Sequence, residues 1–446
     1  MAAKRLQTLA SLSIGFSRSG FDIPTKLWLR TLTRRYNVGP KPQVLNLDRL
    51  PNRSTPWLML HPEIGKNNTL LDRFYSPEDN QIVQLKREEK LGISNFARCI
   101  ASSRGWLGFV EPKGECRVYL TSPFGVGDII RLPSLATMPG ILGVERDTRT
   151  EEVVGFKKWD RCNRRRIKQI KPYVMLTPEE LVEQEQISNL TLSSSDPRHE
   201  SFVVVATQGA DPTETRVDYC RVGKECEWKV GVHALDKHLR MDFIKHVTFS
   251  GVTNLFYAIQ DGDMYSFNLH HDTETKTVKF IEKEDSEGNK RLTKAHFIEP
   301  YVVALENGDI LYIMRHYKEN YEEDDHSYQK RVSETSSFEV FRVDFNNSKV
   351  ERVESIGDRA IFIGANDSFS LCTAPYNHLQ PNSIYFVEHK RASPERKMYH
   401  NGEVRIYDMT DNELRTCFAS TQEQDFADLS FNTNQLLWVS PPDFRN

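Results

Sequence analysis

Apolar residues along most of this chain fall in short runs cut by Gly, Asn, Asp and Pro, the pattern of strands separated by tight turns. Ser201–Thr207 (SFVVVAT), Val247–Asn268 (VTFSGVTNLFYAIQDGDMYSFN) and Tyr301–Met314 (YVVALENGDILYIM) show it, as do Ser337–Asp344, Ala360–Gly364, Ser383–Glu388 and Glu403–Asp408. Asp261-Gly262-Asp263 and Glu306-Asn307-Gly308-Asp309 each lie between two apolar runs. They predict hairpins, because Gly and Asn tolerate the positive φ of a tight turn. A strand–turn–strand unit recurs near residues 100–110, 201–207, 247–267, 302–313, 340–363 and 384–407. Intervals of roughly 40 to 50 residues, with a hairpin in each, are those of propeller blades. The fold class predicted is all-β: a β-propeller of six or seven blades behind a short, mostly non-globular N-terminal segment. Closure is expected from a last strand near Leu436–Val439 pairing with Trp57–Leu60, which removes open edges.

Two stretches depart from the strand pattern. Pro178–Gln186 (PEELVEQEQ) is acidic and helix-prone, and reads as an excursion between blades. Tyr317–Arg331 (YKENYEEDDHSYQKR) is densely charged and reads as a long exposed loop.

The N-terminus has a different composition. Met1–Phe21 holds no acidic residue, whereas Lys4, Arg5 and Arg18 are basic and Ser11, Ser13, Ser17 and Ser19 add hydroxyls. Basic, Ser-rich and acid-poor composition is that of an organellar transit peptide. Arg34-Arg35-Tyr36 before Asn37 suits a mitochondrial processing point. The expected division is a transit peptide at 1–36, a linker at 37–54 and the propeller at 55–446. Mitochondria are the expected location, with the chloroplast, or the cytoplasm and nucleus, as alternatives.

Composition narrows the picture further. Net charge is −3 over 446 residues, so the whole protein offers no bias towards nucleic acid. No apolar run reaches the ~18 residues of a membrane-spanning helix, and no membrane partner is expected. The seven cysteines are scattered and odd in number, which suits a reducing compartment better than a disulfide framework.

Few residues gather as catalysis or metal binding would need. Cys220, Cys226, His233 and His238 lie close in sequence, but their spacing fits no common zinc knuckle. Glu322, Glu323, Asp324, Asp325 and His326 have no apolar setting to raise a carboxyl pKa. No nucleophile elbow, phosphate loop or dinucleotide fingerprint occurs. No enzyme activity, cofactor, metal or catalytic residue is therefore expected. The basic run KKWDRCNRRRIKQIK is the candidate binding feature. Lys157, Lys158, Arg161, Arg164, Arg165, Arg166, Lys168 and Lys171 could neutralise phosphates, and Trp159 could stack on a base. The same run could serve an acidic protein, or be a solvated strand edge and hairpin. Trp106, Tyr257 and Tyr265 could line a propeller face or pack between blades, with packing favoured for Trp106.

Several segments, in order, carry a family resemblance. They are Cys99–Leu107 (CIASSRGWL), Ile130–Leu135 (IRLPSL), Phe338–Gly364 with its Gly357-Asp358-Arg359-Ala360 element, Ser368-Phe369-Ser370, Pro381–Phe386 and Val404–Asp408. Together the chain resembles the plant F-box-associated KIB-type β-propeller family over roughly residues 55–440. The resemblance implies a propeller. Members that serve ubiquitin ligases carry an N-terminal F-box of about 45 residues with several amphipathic helices. Here Ile23–Tyr36 (IPTKLWLRTLTRRY) supplies at most one helix, so an adaptor of an SCF-type ligase is not an expected partner. Ser193–Thr207 and Cys220–Trp228 resemble the family's organellar branch, which lacks the F-box. The function expected is a monomeric, non-enzymatic interaction propeller with a protein partner. The alternatives are a substrate-recognition subunit of an SCF-type ubiquitin ligase and an RNA-associated factor using residues 157–171.

Overall fold

The computed structural model describes residues 43–46, 50, 55–65, 69–87, 93–125, 129–159, 173–183, 187, 189–199, 202–207, 216–224, 227–233, 244, 246–260, 262–269, 276–278, 296–323, 329–364, 366–391, 399–419 and 436–441. The expected transit peptide lies outside them. Strands dominate. The first blade holds β1 (Gln43–Asn46), β2 (Trp57–Ile64), β3 (Leu70–Ser76) and β4 (Gln81–Lys86). β1 pairs in parallel with β4, which places part of the 37–54 stretch in the sheet. The second blade is β5 (Arg98–Ser103), β6 (Trp106–Val110), β7 (Val118–Thr121) and β8 (Ile130–Leu132).

A separate three-stranded sheet follows, made of β9 (Ile141–Arg146), β10 (Val153–Trp159) and β11 (Tyr173–Leu176). The short helix α1 (Pro178–Glu183) comes next, where the acidic, helix-prone stretch predicted it. Thr177 caps it: Thr177 Oγ1 accepts from the Glu180 amide at 3.2 Å, and Glu180 returns a carboxylate to the Thr177 amide at 2.8 Å.

The third blade comprises β12 (Asn189–Leu192), β13 (Val203–Thr207), β14 (Arg216–Arg221) and β15 (Lys229–His233). The fourth comprises β16 (His246–Ser250), β17 (Leu255–Gln260), β18 (Asp263–Phe267) and β19 (Lys276–Val278). The fifth is β20 (His296–Ala304), β21 (Ile310–Glu323), β22 (Gln329–Asp344) and β23 (Lys349–Arg352). The sixth holds β24 (Arg359–Ile363), β25 (Phe369–Cys372), β26 (Ser383–Arg391), β27 (Tyr399–Asp408) and β28 (Glu413–Ala419). β22 touches β26 through Arg331↔Arg391 and Val332↔Lys390, which fuses the last two blades into one sheet. Finally β29 (Leu437–Val439) returns to pair with β2 through Trp57↔Val439, Leu58↔Trp438 and Met59↔Leu437, the closure that the sequence predicts.

Period-2 alternation explains why the strands read as near-continuous apolar runs. Trp57 and Met59 pack with the second blade, whereas Leu58 and Leu60 pack with the sixth. Val204 and Ala206 join the core against the second blade, while Val203 and Val205 join the core against the fourth. Ala360 and Phe362 face the first blade, and Ile361 and Ile363 face the fifth. Each successive pair of blades thus shares an apolar core, from first-with-second round to sixth-with-first. Among the described residues this makes six blades, within the predicted range.

Both predicted hairpin signals hold. Gly262 at φ +83° joins β17 to β18, and Gly308 at φ +91° joins β20 to β21. One expectation fails. Residues 317–323 and 329–331 are strand rather than loop, because β21 runs to Glu323 and β22 begins at Gln329, and the residues between them lie outside the described ones. The register sets Lys318 opposite Glu334 and Glu322 opposite Lys330. Opposite charges across a ladder favour pairing, so charge density alone does not mark a loop.

Candidate functional site

Two places concentrate chemistry, and they differ in kind. The first is a polar junction where the inner strands of several blades meet. The β5–β6 turn brings Ser103 and Arg104 there, with Arg104 at φ +49° and Gly105 at φ +80°. Two consecutive positive φ values make a hairpin turn whose twist suits the strands, at some cost for a non-glycine residue. Arg104 is held by donating from Nε to the Leu192 carbonyl and from Nη2 to the Phe249 carbonyl, both at 2.8 Å. Its guanidinium also lies over the Phe249 ring at 5.6 Å.

Across the junction stand Asn366 and Asp367, which precede β25. Asn366 Nδ2 donates to the Ser102 carbonyl at 3.0 Å and to the Trp438 carbonyl at 2.9 Å. Ser103 Oγ donates to Asp367 Oδ2 at 2.7 Å and accepts from the Leu192 amide at 3.1 Å. The Thr248 hydroxyl also bonds the Asp367 carboxyl. Burial pushes Asp367 up to about 6, against the downward pull of Arg104 and the two hydroxyls. One junction therefore ties five blades through side chains that no short motif announces. Among the described residues no group of three or more His, Cys, Asp or Glu could hold a metal ion.

A related charged lock joins the last two blades. Arg315 Nη2 meets Glu388 Oε1 at 2.7 Å, its Nη1 meets Glu299 at 3.2 Å, and its Nε donates to Thr335 Oγ1 at 2.8 Å. Arg405 meets the other Glu388 oxygen at 3.0 Å. Arg315 and Glu388 are both buried, so each needs these partners.

The second place is the separate sheet β9–β11, and it faces outwards. Phe156 is fully buried, and Ile141, Val144, Val153, Val174 and Leu176 pack with it on the core between the second and third blades. Neighbouring positions are exposed instead, and at Val154, two residues from buried Phe156, a register shift between Val153 and Gly155 breaks the alternation. Leu142 is 52% exposed, Val154 51% and Met175 42%. Met175 sits opposite Lys157 and over Gly155, where its Cε would lie 3.0 Å from an added Cβ. Each of the three strands thus exposes one apolar side chain on a face that no blade covers among the described residues, with Lys157 opposite Met175 on the strand between.

The sequence-predicted binding residues meet this sheet only at one end. Lys157, Lys158 and Trp159 end β10, all half-buried. Lys157 Nζ pairs with Glu145 at 2.9 Å and approaches the Tyr173 ring at 6.0 Å. Hydrogen bonding to Glu145 raises the Lys157 ammonium above its ordinary range. Arg161, Arg164, Arg165, Arg166, Lys168 and Lys171 lie outside the described residues, in the connection from Trp159 to Tyr173. Sequence reasoning missed Leu142, Val154 and Met175, which read as ordinary strand positions.

The other candidates are structural. Trp106 is buried and donates from Nε1 to the Ser195 carbonyl at 2.9 Å. Tyr257 and Tyr265 are buried too, so they do not line an outer face. Cys220 is buried in β14, while Cys226 and His238 lie outside the described residues. No described helix is long and apolar enough to cross a membrane.

Known proteins fit this architecture. A family model described as the KIB1-4 beta-propeller matches residues 74–408. The F-box protein At2g26160 of Arabidopsis thaliana is 33% identical over 67 residues, covering 15% of this chain and 20% of that protein. The F-box protein At4g35733 of the same plant is 29% identical over 87 residues, 20% of this chain and 23% of that protein. Each match thus spans under a quarter of the relative's length. Among solved structures, the Cps50 (Swd1) β-propeller domain of Myceliophteria thermophila superposes with a TM-score of 0.29 at 13% identity, over 74% of this chain and 89% of that one.

Proposed function

Because this chain belongs to the KIB1-4 β-propeller family, we propose that it works without catalysis, as a platform that presents the β9–β11 sheet to a protein partner. One observation supports this most directly: Leu142, Val154 and Met175 are exposed, one on each strand, on a sheet anchored from behind by Phe156. Rigid blades hold such a surface without ordering cost on binding, so a modest apolar area can give useful affinity. Lys157, opposite Met175, and the basic sequence after Trp159 suit a partner with acidic residues beside its apolar ones. The basic, Ser-rich and acid-poor composition of residues 1–21 supports an organellar location, mitochondria first. The test is affinity purification of the full chain from its native cells, wild type against Leu142→Asp/Met175→Glu. A partner held by the wild type and lost with the variant supports the platform, and a partner indifferent to the substitutions overturns it.

A second reading has support from the two F-box relatives. In it the propeller recognises substrates for a ubiquitin ligase. Co-purification of a cullin adaptor with the full chain supports that reading. A mature N-terminus near Asn37 inside an organelle removes it.

A further inference from the structure

The surroundings of Asp367 are unequal on its two oxygens. Oδ2 receives the Ser103 hydroxyl at 2.7 Å, and the Thr248 hydroxyl also serves the group. Oδ1 is shut off from solvent with no hydrogen-bond partner. A carboxylate is an acceptor only, with room for about four donors, and an ionised one left short of donors in a dry site is costly. Protonation turns one oxygen into a hydroxyl and removes the charge.

No nearby cation compensates fully. Arg104 bears on the carboxyl, yet its Nε and Nη2 are directed at the Leu192 and Phe249 carbonyls. The rest of the junction, Ser102, Ser103, Leu192, Thr248 and Asn366, brings no charge. Other titratable groups on the adjoining inner strands sit elsewhere in their registers. Arg98 and Cys99 begin β5 and Cys372 ends β25. On β16 His246 packs its ring on Tyr301 at 4.6 Å, and Tyr301 donates to Glu299 of the Arg315 cluster.

The position makes this more than a local matter. Asp367 receives donors from the second and fourth blades while standing on the sixth, and its neighbour Asn366 holds the last strand through the Trp438 carbonyl. We propose that Asp367 makes the junction of the inner strands proton-sensitive: the protonated carboxyl tightens it and the ionised carboxyl loosens it. The device lies on no apolar docking strip and is independent of which partner the protein binds.

The sign follows from linkage. A carboxyl that titrates higher in the fold than in the unfolded chain stabilises when protonated, and that stabilisation is lost as pH rises through its folded-state value. The window is from the ordinary carboxylate range, 3.8, up to about 6. The test is urea unfolding of the full chain between pH 4.5 and 8, comparing wild type with Asp367→Asn and with His246→Gln. Wild type should gain on Asp367→Asn by tens of fold as pH falls from 7 to 4.5, and His246→Gln should keep that gain. Parallel profiles for wild type and Asp367→Asn would overturn the proposal, as would a gain that vanishes with His246→Gln. If Asp367→Asn does not fold, Thr248→Val decides. Losing one donor to the carboxylate should carry the pH-dependent window upward, and an unmoved window overturns the idea.

Discussion

Trp438 lies directly opposite Leu58 across one rung of the first blade, so the last strand of the chain completes a sheet begun by the second. The same indole meets Phe362 of the sixth blade edge-on, with ring centroids 5.1 Å apart. A single side chain therefore serves both the ladder that closes the ring and the core between its first and last blades. Trp438→Ala should cost about 3–5 kcal/mol, the range for deleting a buried aromatic ring. Trp438→Phe should cost less, because it keeps the edge-on contact. Urea unfolding measures both, and a cost under about 1 kcal/mol for the alanine variant would contradict this role.

Glu388 should be the most sensitive charged residue of the last two blades. Glu388→Ala leaves Arg315 buried without its main partner, for which about 3–5 kcal/mol is expected. Replacing both Arg315 and Glu388 by Met should recover part of that loss, since it removes the buried guanidinium, while Arg405 and Glu299 each lose a partner. Equilibrium unfolding of the two single variants and the double variant gives the coupling. Additive losses would show that the pair is not the unit described.

Thiol chemistry offers a direct probe of the blade cores. Burial pushes both Cys99 and Cys116 up to about 12. At pH 8 they should stay protonated and resist alkylation in the folded protein, then react once urea unfolds it. Mass spectrometry after timed iodoacetamide treatment reads this out by residue. Rapid labelling of either thiol in the native protein would contradict the packing.

Gly308 should tolerate no side chain. Its φ is +91°, and an added Cβ would lie 2.8 Å from Val252 Cγ1 on the neighbouring blade. Gly308→Ala should therefore destabilise by more than about 1 kcal/mol. Thermal melting checks it, and a neutral result would mean that the two hairpin turns can part freely.

Much of the fold was legible because blades are local. Val203–Thr207 announces a strand buried on both faces, and Gly262 and Gly308 announce hairpins, all within a few residues. Even the closing pair was readable, since Trp57–Leu60 and Leu436–Val439 are apolar strands at opposite ends of the domain. The β9–β11 sheet was not legible, because Leu142 and Val154 have the same residue types as core positions and only packing reveals which face is covered. Asp367 was hidden for another reason. Its environment is assembled from Ser103, Arg104, Thr248 and Asn366, which lie far apart in sequence, and Asn366-Asp367-Ser368 alone resembles any turn. The charged residues 317–323 and 329–331 misled because composition does not show the cross-strand register, which sets opposite charges facing each other.

The exposed face of β9–β11, with Leu142, Val154 and Met175, is the surface proposed for a protein partner. Its most direct measurement is photo-crosslinking in native cells, with the reactive residue placed at Met175 and, as a control, at Val44 on the outer strand of the first blade. One discrete adduct is expected from position 175, absent from position 44 and abolished by Leu142→Asp in the same chain. No adduct at 175, or an equal one at 44 that survives Leu142→Asp, would contradict it.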